Sequence, residues 1–323
     1  MQFSCIKRLK AVVLLNKQTF SNMTNTHFDV IIIGGSYSGL SAGMALGRAL
    51  RSVLIIDSGS PCNKQTPHSH NFITHDGETP KSIADKAREQ VAKYDTVTFY
   101  SGLAVLGKKS GSGFEITTES GNSFTAKKLI FATGVKDIMP EIEGADACWG
   151  ISMIHCPYCH GYEVRNEKTG ILANGELGFE FSKLIRNWTK ELILFTNGKS
   201  TLTAEQTSTL KEHGIDLIET EIEAFEHTNG FIEQVRLKDG SSLNLKAMYA
   251  KLPFTQHSDI PETLGCELTE LGLIQIDSFQ KTTIPGVYAC GDNVTPMRSV
   301  SNAVAMGTLA GAVLNKELVD EEF

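Results

Sequence analysis

No stretch of the sequence approaches the roughly 18–20 uninterrupted apolar residues that a bilayer-crossing helix needs, so no membrane span is expected. Positive charge is scarce, with 30 Lys and Arg against 37 Asp and Glu. A net charge of −7 gives no general attraction to phosphate or anionic lipid, and no basic block supplies a local one, which argues against nucleic-acid partners. Cysteine is too thinly spread for a secreted disulfide framework: there are seven in 323 residues, and only Cys156 and Cys159 lie close together. That usage points to a reducing, cytoplasmic setting. No second Cys/His pair with ligand spacing accompanies them, so no metal site is expected.

Acids are absent altogether from Met1–Asn22, which carries Lys7, Arg8, Lys10, Lys17 and the short apolar run Ala11–Leu15. A secretory leader needs a longer apolar core and a cleavage site. Residues 1–26 therefore read as an extension ahead of the folded protein, from an upstream start codon or a disordered tail, with a targeting segment as the rival explanation.

With 41% hydrophobic residues the chain has material for real cores, and its length fits about two domains. Phe28–Ile33, apolar apart from Asp29, is a run of the kind a parallel strand covered on both faces requires. It leads into Gly34-Gly35-Ser36-Tyr37-Ser38-Gly39, a helical apolar pattern through Leu50, and a second apolar run, Val53–Ile56, closed by Asp57. This is a mononucleotide-binding βαβ unit. Gly170–Ala173, Asn174-Gly175-Glu176-Leu177-Gly178, a helix through Trp188 and Leu192–Phe195 repeat the pattern. Each unit is followed by a predicted β-meander. Near the end, Gly286–Asp292 reads as a strand feeding an apolar helix from about Ser299 to Leu318. The predicted class is α/β, with two Rossmann-like three-layer nucleotide-binding domains.

A glycine turn between strand and helix lets a pyrophosphate approach free backbone N–H groups at the positive end of the helix dipole. Gly34 and Gly39 satisfy the outer positions of that turn, and Ser36 replaces its middle glycine. Asp57 stands where an acid holds ribose hydroxyls. Cys156-Pro157-Tyr158-Cys159 is a two-residue-spaced pair opening a predicted helix, a placement that lowers a thiol pKa and favours redox chemistry. The following His160 makes the string also match a haem attachment site, and with His155 it could form half of a zinc site; neither finds support elsewhere in the chain.

Taken in order, the Gly34–Gly39 turn, Ala132-Thr133-Gly134, Cys156–Cys159 and Thr283–Asp292 resemble the thioredoxin reductase family of FAD-dependent disulfide oxidoreductases over nearly all of 27–323. The resemblance implies an FAD domain from residues 27–137 and 253–323, interrupted by an NAD(P)-binding-like domain at 138–252 that carries the redox pair. It implies FAD held by Gly34, Gly35, Ser36, Gly39, Asp57, Ala132, Thr133, Gly134, Gly291, Asp292 and Ser299, with Asp292 at the ribityl chain and Asn71 beside the flavin. It further implies a homodimer, Cys159 as the flavin-facing sulfur and Cys156 as the exchanging one.

Two departures matter. Thioredoxin reductases follow the second cysteine with an acid, whereas here His160 follows, as in the branch of gliotoxin-type dithiol oxidases; an imidazole can take and give protons near neutrality. His155 is a second acid/base candidate or a hydrogen-bonded packing residue. At the second βαβ turn, Gly175 and Gly178 remain as a possible nicotinamide site, but the first glycine is Ala173 and no arginine follows the next strand to grip a 2′-phosphate. These glycines then either serve NAD(P)H or only shape the turn.

The leading expectation is a reductase carrying electrons from NAD(P)H through flavin to a disulfide on a thioredoxin-like protein or small molecule. The alternatives are a dithiol oxidase using oxygen and an idle FAD-binding redox sensor. Cys62, Cys148, Cys266 and Cys290 are expected to be packing residues.

Overall fold

The structure, a computed structural model, describes residues 26–323. The reading of Met1–Asn22 concerns residues outside that span.

The first sheet starts with β1 (His27–Ile33), crosses over through α1 (Tyr37–Arg48) and returns as β2 (Val53–Asp57), parallel to β1 with Val30 opposite Val53 and Ile33 opposite Ile56. Val30, Ile31 and Ile32 are wholly buried, as a strand covered on both faces requires. Helix α2 (Pro80–Val91) leads to β3 (Val97–Ser101), which extends the sheet beyond β2. The meander β4 (Ala104–Ser110), β5 (Gly113–Thr118) and β6 (Ser123–Phe131) closes back onto β1, giving the order β3-β2-β1-β6-β5-β4.

The second sheet takes β7 (Met153–Ile154), β8 (Thr169–Leu172), β9 (Leu192–Phe195), β10 (Asp216–Ile218) and β11 (Ala247–Ala250) in the order β10-β9-β8-β11-β7, all parallel. One-turn helix α3 (Pro157–His160) follows β7, and α4 (Gly175–Ile185) is the crossover from β8 to β9. Helix α4 ends three residues earlier than the apolar pattern predicts, because Trp188 closes a turn onto the Ile185 carbonyl. An antiparallel meander over 222–244 covers one face.

The chain then returns to the first sheet. Strand β12 (Val287–Ala289) pairs in parallel with the last residues of β6, Leu129–Phe131, whose first half is already paired with β5. The final helix, α5 (Val300–Glu322), packs on α1 and runs past the predicted end at Leu318. Its acidic last turns oppose the helix dipole, and nearby cations offset this: Lys128 and Lys281 bind Glu317, and Arg51, from the connection between α1 and β2, binds Glu322. Alternate residues of β1 and β2 face separate cores, Ile31, Ile33, Leu54 and Ile56 on one side and Val30, Ile32, Val53 and Ile55 on the other.

Candidate active site

The turn after β1 is shaped by contacts that leave no room for side chains. Gly34 has φ +107°, and a Cβ there would lie 2.1 Å from the Ala132 carbonyl oxygen; one on Gly39 would lie 1.9 Å from the Gly34 carbonyl oxygen. Only glycine fits either place. Ser36, the residue at the helix start, makes no side-chain cap, and no acid occupies the first turn of α1. The first N–H groups of α1 thus remain available to an anion from outside.

That helix start opens into a cleft of about 400 Å³ at the carboxyl ends of β1 and β2. Gly34, Gly35 and Ser36 line it, with Asp57 at the end of β2 and Ala132, Thr133 and Gly134 after β6. Asp292 and Ser299 complete this wall from the C-terminal segment. Gly39 and Gly291 sit behind the lining; Gly291, at φ +93°, brings its backbone against Ser38. Asn71 is exposed and outside the lining, where its N–H donates to Asp76 Oδ1 at 2.7 Å; the adjacent His70 lines the cleft instead.

Cys156 and Cys159 form a disulfide. Pro157 occupies the first position of α3, Cys156 is its N-cap, and the Cys159 N–H donates to Cys156 Sγ at 3.1 Å. That donor favours a thiolate on Cys156 once the bond opens. Cys159, His155 and His160 line the same cleft as the glycine turn, whereas Cys156 does not. The two sulfurs are thereby sorted into an inner and an outer one.

Both histidines are held neutral. Burial pushes His155 down to about 4, assisted by the Arg298 charge, and its Nε2 is buried without a hydrogen-bond partner. His155 tilts against Trp149, ring centroids 5.9 Å apart. Burial also lowers the His160 pKa, partly countered by Glu163. A neutral imidazole beside a dithiol can act as a base.

A charged cluster that sequence reasoning missed lines the cleft. Arg298 donates to Asp137 through two hydrogen bonds of 2.7 and 3.0 Å, and Trp149 Nε1 donates to Asp137 Oδ2 at 3.2 Å. Arg298 Nε is 3.6 Å from Asp292 Oδ2. Burial raises the Asp292 pKa and opposes the Arg298 charge, which the Asp137 bonds more than restore. The available signals were an acid three residues after Ala132-Thr133-Gly134 and an arginine just before the last helix; neither belongs to a spaced motif. Cys62, expected to be a packing residue, is instead exposed and lines the cleft, with Sγ 3.9 Å from Asp292 Oδ2. Cys148, Cys266 and Cys290 are buried.

The second βαβ turn has a different start. Asn174 caps α4: its Oδ1 accepts the Gly175 N–H at 2.8 Å and the Thr201 N–H at 2.9 Å, while its Nδ2 donates to the Lys199 carbonyl at 2.9 Å. Glu176 adds negative charge to the first turn. Gly175, at φ +57°, lies against Thr201, and Gly178 is buried. One donor at this helix start, the Gly175 N–H, is thus taken from within the chain.

Among the described residues no group of three or more His, Cys, Asp and Glu side chains is arranged to hold a metal ion, and no helix is long and apolar enough to cross a membrane.

The sequence is 31% identical to thioredoxin reductase tcpT of Claviceps purpurea, over 92% of this chain and 96% of that one, and 33% identical to thioredoxin reductase aclD of Aspergillus oryzae, over 91% and 98%. The solved structure of an oxidoreductase from Agrobacterium tumefaciens matches with a TM-score of 0.85 at 36% identity, covering 91% of this chain and 99% of that one. The structure of HlmI matches with a TM-score of 0.87 at 30% identity, covering 94% and 95%. A family match extends over residues 28–307, from the first strand into the last helix, and the chain belongs to the pyridine nucleotide-disulphide oxidoreductase family.

Proposed function

We propose that the chain is an FAD-dependent thiol–disulfide oxidoreductase of thioredoxin reductase type, in which Cys156 exchanges with substrate and Cys159 faces the flavin. The carrying observation is that Cys159, and not Cys156, lines the cleft built by the glycine turn. The cleft fits FAD on its own terms: uncapped N–H groups at α1 suit a pyrophosphate, Asp57 suits ribose hydroxyls, and buried His155 Nε2 lacks a hydrogen-bond partner. Gly34, Gly35, Ser36 and Gly39 would hold the pyrophosphate, and Asp292 and Ser299 the ribityl side. Bound FAD supplies a two-electron acceptor and donor next to the inner sulfur.

The chain's own part is thiol chemistry. A substrate thiol gives its proton to His160, and the resulting thiolate bonds to Cys156 as the Cys156–Cys159 bond breaks. The second substrate thiol loses its proton and attacks the mixed disulfide, expelling Cys156. The substrate leaves oxidised and the pair is left reduced; run in reverse, the same steps reduce a substrate disulfide. The substrate is a thioredoxin-like protein or a small dithiol or disulfide. Family likeness supports a homodimer, and cysteine usage supports a cytoplasmic setting.

A second reading concerns the electron partner. Self-capping by Asn174 and the Glu176 charge leave poor accommodation for a nicotinamide dinucleotide at α4, which favours a dithiol oxidase passing electrons to oxygen over an NAD(P)H-linked reductase. Anaerobic addition of NADH, NADPH or dithiothreitol to the FAD-loaded protein separates them. Bleaching of the flavin by the dithiol, reversed by air with peroxide formed, supports the oxidase; rapid bleaching by NAD(P)H supports the reductase. No turnover with any donor would leave only a redox sensor.

A further inference from the structure

Oxidation of a dithiol at this site releases two protons from the substrate, and His160 accepts one at a time. His160 sits within the cleft wall, so each proton needs an exit. The imidazole nearest to it in the cleft wall is His70, from the segment between β2 and α2, with ring centroids 6.5 Å apart and planes at 89°. That separation is within reach of one bridging water.

A carboxylate stands near each nitrogen of His70 at ion-pair separation. Its Nε2 lies 3.6 Å from Glu163 Oε1, on the redox segment, and its Nδ1 lies 3.6 Å from Asp76 Oδ1, on its own segment. Side-chain exposure rises outward from 20% at His70 to 40% at Glu163 and 66% at Asp76. The charged and titratable groups facing the pair are Glu163, Asp76 and His155, with His68 flanking His70 at 6.3 Å, its Nδ1 bonded to the Gly77 carbonyl. An imidazole flanked by a carboxylate near each nitrogen can take a proton at one and, through a bridging water, release it from the other.

We propose that His70, held between Glu163 and Asp76, relays protons between His160 and solvent during thiol–disulfide exchange at Cys156–Cys159. The proposal rests on the dithiol–disulfide reading above. Two S–H bonds break, one S–S bond forms in the substrate and the Cys156–Cys159 bond opens. The electron pair ends on the two enzyme sulfurs, and the protons travel through His160 to His70 and the two carboxylates. His70 is thus a positioning residue that acts through His160.

The test is anaerobic single-turnover reaction of the FAD-loaded protein with dithiothreitol, followed by flavin absorbance between about pH 5.5 and 9. His70→Asn is expected to slow the reaction about tenfold near neutrality, to flatten its rise with pH, and to be rescued by added imidazole buffer. Glu163→Gln, which lies outside the cleft lining, is expected to move the same pH limb and serves if His70→Asn fails to retain FAD. An unchanged pH–rate profile with no imidazole response, in a variant that keeps its FAD and thermal midpoint, overturns the relay. Cys159→Ser run in parallel identifies failure of the underlying reading, because persistent dithiol-to-flavin transfer there would remove it whatever His70 does.

Discussion

Asn174 Oδ1 accepts the Gly175 N–H at 2.8 Å, whereas Ser36, at the corresponding helix start in the first βαβ unit, caps nothing. Two turns of related sequence thus differ toward an anion: one leaves its helix start uncapped, and the other occupies its first helical N–H with its own side chain. Replacing Asn174 by Gly together with Glu176→Gln should restore free donors and remove a repelling charge. Flavin reduction by NADH or NADPH is expected to accelerate at least about tenfold in the double variant, read by anaerobic stopped-flow. If the parent chain already reduces as fast with a nicotinamide as with dithiothreitol, the self-capped turn is no barrier.

The sorting of the two sulfurs has a covalent signature. In Cys159→Ser, Cys156 has no disulfide partner, so its thiolate attacks a disulfide supplied from outside, such as glutathione disulfide, releasing one thiolate; with no inner cysteine to resolve it, the mixed disulfide on Cys156 should accumulate, visible by mass spectrometry of the intact protein and its peptides. The converse variant, Cys156→Ser, should give far less adduct. Equal adduct in both would reverse or erase the inner and outer roles.

His155 links stability to pH. Its native value of about 4 lies below the ordinary 6.5, so between these values the unfolded chain binds a proton that the folded protein refuses. The stabilisation is fully present above pH 6.5 and is lost as pH falls toward 4, a change of about 3 kcal/mol at most. The thermal midpoint of His155→Gln should vary less over that interval than that of the parent. Parallel curves for the two proteins would show that His155 protonates freely in the fold.

Arg298 and Asp137 test the ion pair in the cleft wall, whose side chains are only 13% and 8% exposed. Removing one partner strands the other charge in a dry site, at a cost of about 3–5 kcal/mol. Asp137→Asn should therefore lower the denaturant midpoint markedly and weaken FAD retention, since Arg298 would press its whole charge on Asp292. An unchanged midpoint would mean that water already reaches the pair.

Much of this was readable from residue order. The apolar run at 28–33, the glycines and Asp57 forecast strand, turn, helix and strand because each element has a local chemical signature. Cys159 and His160, both singled out in the sequence, line the cleft. What could not be read is juxtaposition across long separations. Asp137 and Arg298 are 161 residues apart and meet bidentately, and His70 meets Glu163 from another segment, with no local pattern to announce either contact. Cys62 looked like a small apolar filler, and only the course of the segment after β2 carries it into the cleft beside Asp292. The change at the second turn was half legible: the lost glycine at Ala173 was visible, but the Asn174 side chain bonding the Gly175 N–H needed coordinates.

Strand β12 imposes an order on biosynthesis. Val287–Ala289 docks on β6 only after the whole second sheet has been made, and Asp292 and Ser299 reach the cleft with it. While the ribosome is still translating residues 138–286, the first sheet lacks this strand and the cleft lacks that wall. Tight cofactor capture is thus a late event in the life of the nascent chain, and a stalled or truncated product missing the last forty or so residues would carry the redox cysteines without the complete cleft that disciplines them.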